Sequence, residues 1–79
     1  MVKVEEKIMV MRARNAIRKN DTFNIVMLRK DLILASLDSP LDMFINELLS
    51  LVNNYCANLL NPSICLWQLY QIECAYKIK

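Results

Sequence analysis

The stretch Pro40 to Leu60, PLDMFINELLSLVNNYCANLL, is the longest uninterrupted periodic segment of the chain and constrains its fold the most. Leu41, Phe44, Ile45, Leu48, Leu49, Val52, Tyr55, Cys56, Leu59 and Leu60 recur at steps of three and four, the spacing of one helical face. Ser39 is placed to cap this helix and Pro40 to occupy its first position. Asp42 adds a negative charge near the positive end of the helix dipole. Asp42, Asn46, Ser50, Asn53, Asn54 and Asn58 form a narrow polar stripe, while Met43 and Leu51 widen the apolar side. A surface helix needs an apolar arc of only about 100°. A helix this apolar is therefore expected to be covered on more than one side. Asn61-Pro62 ends it, because proline lacks a donor and disfavours helical geometry in the residue before it.

The chain has no glycine. That excludes glycine-dependent hairpins and glycine-rich phosphate loops, and it fits helices joined by short polar connections. A chain of 79 residues is one small domain, able to bury roughly 60–65 % of its unfolded surface. Yet 56 % of its residues are apolar. The surplus must become an exposed patch or an oligomer interface, and large patches are rare on monomers. An oligomer is expected.

A membrane span needs about 20 predominantly apolar residues. The best window is broken by Glu47, Ser50 and Asn53-Asn54, so no span is expected. The N-terminal MVKVEEKIMV has acidic residues where a secretion signal would be basic. Cys56, Cys65 and Cys74 are an odd set, spaced nine apart. Without a secretion signal they read as reduced thiols of an intracellular, cytoplasmic protein, packed as small buried hydrophobes. With no histidine and no CxxC pair, neither a metal nor a cofactor is expected.

The remaining segments read as further helices. Residues 3–19 form the first, with Val4, Ile8 and Met11 on one face and Val10, Ala13 and Ile17 beside them. Its acids lead and its bases trail, as the helix dipole prefers. A short strand within 1–4 or 8–11 is the alternative. A turn at Asn20-Asp21-Thr22, where Asp21 or Thr22 can cap, leads into a helix over about 22–37 with Phe23, Val26, Ile33 and Leu37 near helical spacing. The short connection at Asp38-Ser39 predicts an αα-hairpin with the central helix. After Asn61-Pro62-Ser63, a capping residue next to a helix-starting proline, a fourth helix runs over 62–74 or beyond. From Tyr70 onward the alternation also suits a strand, so the last residues stay open between the two.

No catalytic constellation is visible. There is no histidine, no paired carboxylates and no base beside a cysteine, so a non-enzyme is expected. Residues 1–31 carry eight basic against four acidic side chains, a net of +4, whereas residues 32–79 carry a net of −2. Lys7, Arg12, Arg14, Arg18 and Lys19 are thus candidate phosphate contacts. A helix-turn-helix fails, because its second helix would hold Asp42 and Glu47 and no base.

The sequence therefore predicts an all-α bundle of three to four helices, oligomeric, with a structural or adaptor role. Phe44, Leu48, Leu51, Val52, Tyr55, Leu59, Trp67 and Tyr70 are its expected oligomer interface. The partners are further copies and other proteins. A nucleic acid held by the basic first helix is the alternative.

Overall fold

Among the described residues, 5–78 of a computed structural model, the chain forms four helices and no strand. They are α1 (Glu6–Lys19), α2 (Thr22–Asp38), α3 (Met43–Cys56) and α4 (Pro62–Ala75). The strand alternatives fall away for Ile8–Met11, which lies in α1, and for Tyr70–Ala75, which lies in α4. The same alternative for residues 1–4 concerns positions outside the described residues.

Polar side chains set where three helices begin. Asp21 accepts a bond from the Asn24 amide at 3.1 Å, Asp42 from Ile45 at 3.1 Å, and Asn61 from Ile64 at 2.8 Å. Each satisfies an amide that the first helical turn leaves without a partner. Pro62 takes the first position of α4, as expected.

The central helix is shorter than its periodicity predicts, at both ends. Ser39 and Pro40 do not start it. The Asp42 amide donates to the Ser39 carbonyl at 3.1 Å, closing a β-turn with Pro40 at the second position, a site proline favours as strongly as a helix start. Asp42 is then the cap. At the far end α3 stops at Cys56, and Asn58 turns left-handed at φ 60°.

That left-handed residue belongs to a device used three times. After α1, α3 and α4 the chain turns through Asn20, Asn58 and Lys77, all at positive φ. In each case the next amide reaches back five residues: Asp21 to Ala16, Leu59 to Asn54 and Ile78 to Glu73, each at 2.9 Å. These are Schellman closures, usually built with glycine. Here asparagine and lysine substitute.

Packing follows the buried faces. Val10, Ala13, Ala16 and Ile17 of α1 join Ile25, Leu28 and Leu32 of α2 in one core. Phe44, Ile45, Leu48, Leu51 and Val52 of α3 and Cys65, Leu69 and Ile72 of α4 complete it. Ile8 and Met11 are exposed instead, so the buried face of α1 is the Val10–Ala13–Ile17 side. Its alanines let neighbouring helices approach closely. Helices α2 and α4 each pack against both α1 and α3. The four form a closed ring in which α2 and α4 face each other across the core. The half-buried Tyr76 caps one end, its ring edge-on to Phe44 with centroids 5.5 Å apart. Of the three thiols only Cys65 is buried; Cys56 and Cys74 are exposed, contrary to the expectation of three buried ones.

Candidate self-association surfaces

A helix at the corner of a ring needs one apolar face, and α3 comes nearest to this, whereas α1 also exposes Ile8 and Met11. Outward, α3 presents Asn46, Glu47, Ser50 and Asn53, with Met43 exposed at its first turn. These asparagines are used within the chain. The Arg29 Nε donates to Asn53 Oδ1 at 2.8 Å, and Asn46 Nδ2 donates to the Pro40 carbonyl at 3.0 Å.

Helices α2 and α4 are different: both are apolar on two sides. On α2 the buried set is Ile25, Leu28 and Leu32, while Phe23, Val26, Met27, Ile33, Leu34 and Leu37 are exposed. At 100° per residue the two sets point roughly 170° apart. Phe23 is 72 % and Leu37 74 % exposed, while Met27 and Ile33 are each 37 % exposed, so the stripe is wettest at its two ends. Leu41, on the following turn, is 91 % exposed. Only Lys30 interrupts the stripe, and Arg29 and Asp31 flank it. On α4, Cys65, Leu69 and Ile72 are buried, whereas Ile64, Trp67 and Tyr70 are exposed, again roughly 170° away. Since α2 and α4 sit across the core, their outward faces look away from each other.

This placement redistributes the expected interface residues. Phe44, Leu48, Leu51 and Val52 are consumed by the core of the single chain. Tyr55 is half-buried, its hydroxyl donating to Asn20 Oδ1 at 3.0 Å. Leu59, Trp67 and Tyr70 are at the surface. The α2 stripe lies outside the expected set. Phe23, Val26, Ile33 and Leu37 gave the helical spacing, but they form the outward set. The signal was present in the letters: Ile25, Leu28 and Leu32 make a second stripe at the same spacing, and a helix with two stripes has two covered sides.

The basic candidates divide as well. Arg12 pairs with Asp31 of α2 at 2.9 Å, and Arg14 pairs with Glu73 of α4. Both guanidiniums are thereby committed to joining helices. Lys7, Arg18 and Lys19 are exposed. Arg18 lines an open cleft of about 1000 Å³ together with Arg29, Tyr55, Asn58 and Ser63. Among the described residues no carboxylate lines that cleft.

Burial, with the neighbouring Cys56 adding, pushes the Cys65 thiol up to about 11, away from nucleophilic thiolate. A hydrogen bond with Cys74 raises Tyr70, and partial burial, helped by Glu47, raises Tyr76. Among the described residues no cluster of His, Cys, Asp and Glu is placed to hold a metal. No described helix is long and apolar enough to cross a membrane. Compared with protein-family models, curated proteins and solved structures, the chain matches none of them.

Proposed function

We propose that the protein is a self-associating helical module with a structural or adaptor role, built around the αα-hairpin of α2 and α3. The carrying observation is the outward stripe of α2, six large apolar side chains exposed on one face. Contiguous apolar surface of this kind marks a protein interface more often than free surface. The subunit contact thus moves from α3, whose outward side is polar, to α2 and α4. Sedimentation or light scattering across micromolar concentrations tests this. Wild-type chain is expected as a dimer or larger, with a melting temperature that rises with concentration. Leu34→Glu is expected to weaken association by about tenfold or more, which is about 1.4 kcal/mol or above, with helicity unchanged. A concentration-independent monomer overturns the proposal.

A second reading, contact with nucleic acid, is favoured by the cleft that Arg18 and Arg29 line without an acid. Phosphates neutralised there would release counterions, so binding would fall steeply with salt. Arg18→Ala is expected to lower the salt slope by about one. Absence of binding at about 50 mM salt retires this reading.

A further inference from the structure

We infer that the two outward faces bind each other: the α2 stripe of one copy docks on the α4 face of the next, joining copies head to tail. This rests on the self-association reading above and adds the pairing rule. The argument begins at Lys30, which sits midway along the α2 stripe between Phe23 and Leu37. If two α2 stripes paired with full overlap, Lys30 would meet Lys30 of the other copy, whether the helices ran parallel or antiparallel. Like charges enclosed at the centre of an apolar contact strongly oppose it. The α4 face removes that conflict. From Pro62 to Ile72 the helix carries no charge, and its exposed side chains include Trp67 and Tyr70. An ammonium group set against an aromatic ring is attracted to its π face. Pairing α2 with α4 therefore covers both stripes with one kind of contact and gives Lys30 a partner. Because the two faces look in opposite directions, each copy that docks leaves a free face on its far side. Heterologous contacts close into a ring only where the rotation per copy closes, and faces set on opposite sides favour extension.

The test uses two surface variants of the full chain, Leu34→Glu on α2 and Trp67→Glu on α4. Both residues are exposed, and circular dichroism checks the fold; if either variant loses helicity, Leu34→Ser and Trp67→Ser take their place. The expected result has three parts, read by sedimentation at matched micromolar concentration. Wild type forms a distribution of assemblies, each variant alone is monomeric, and an equimolar mixture forms a 1:1 heterodimer that grows no further. The mixture pairs because each variant retains the face the other needs. If either variant alone still dimerises, a face pairs with itself and the head-to-tail rule is overturned while self-association stands. If the mixture stays monomeric, the rule is likewise overturned. If wild type itself is monomeric, both this inference and the reading beneath it fail.

Discussion

Arg14 of α1 and Glu73 of α4 form an ion pair that joins the first helix of the ring to the last. Both side chains are largely covered, at 30 % and 20 % exposure. The pair therefore lies between a solvated surface bridge and a buried one. Glu73→Gln is expected to cost about 1–2 kcal/mol, above the roughly 0–1 of exposed pairs and below the 3–5 of buried ones. A double-mutant cycle with Arg14→Met measures the coupling; a value near zero removes the pair from the account of ring closure. The same variant frees Arg14, so any phosphate binding by the α1 face should strengthen in it.

The start of α3 separates two candidate caps. Asp42→Ala is expected to cost about 1 kcal/mol, the usual loss for a capping side chain. Ser39→Ala is expected to change stability by less than about 0.5 kcal/mol, as for an uninvolved surface site. Urea denaturation of the two variants distinguishes them, and equal costs would contradict the assignment of Asp42.

Lys77 holds a left-handed conformation at φ 54°, where a residue with a Cβ pays about 1–2 kcal/mol. Lys77→Gly relieves that cost but adds about 0.5–1 kcal/mol of chain entropy to the unfolded state. The net expectation is a gain of up to about 1 kcal/mol. A fall in melting temperature would show that Lys77 makes a contact worth more than its backbone strain.

Cys65 sets an alkaline limit. Its folded thiol is raised from 9.0 to about 11 by burial first and Cys56 second. Below the unfolded value both states hold the proton and this contribution to stability is complete. As pH rises past that value the unfolded chain ionises first, so stability falls until the folded thiol also ionises. Wild type is thus expected to lose more stability than Cys65→Ala as pH rises from 9.0 to about 11. Parallel slopes for the two would contradict the burial of this thiol. At neutral pH, Cys56 and Cys74 are expected to react with an alkylating reagent well before Cys65.

Local signals in the letters are legible where one physical cause acts alone. Asn61-Pro62 predicts a cap followed by proline at the first helical position, and α4 begins there. The polar triplet Asn20-Asp21-Thr22 predicts a break with a cap, and Asp21 caps α2. Ser39-Pro40 misleads because the pair suits a helix start and a β-turn equally. Only the Asp42 side chain, with the nearer amide to accept from, decides between them. Leu59 and Leu60 continue the period of α3 beyond its end. Periodicity does not report backbone handedness, and Asn58 in the left-handed region ends the helix first. The choice of face on α2 was illegible for another reason: two stripes of equal spacing cancel, and only the ring of neighbours says which one is inside. The identity of the α1 arginines as helix joiners was hidden too, since Asp31 and Glu73 are distant in sequence.

The connections between helices are two, four and five residues long, each tied down by caps. Short loops make the cost of closing them small, and helical bundles with such local contacts fold in microseconds to milliseconds. Two protein surfaces typically meet at about 10⁵–10⁷ per molar per second. At about 1 µM that is roughly 0.1–10 encounters per second. If the chain self-associates as proposed, a newly folded copy waits, complete and with its α2 stripe still wet, for many folding times before a partner arrives. Refolding followed by tryptophan fluorescence is expected to separate in time accordingly. An early phase will be indifferent to concentration, and a later one, reported by the exposed Trp67, will quicken in proportion to it.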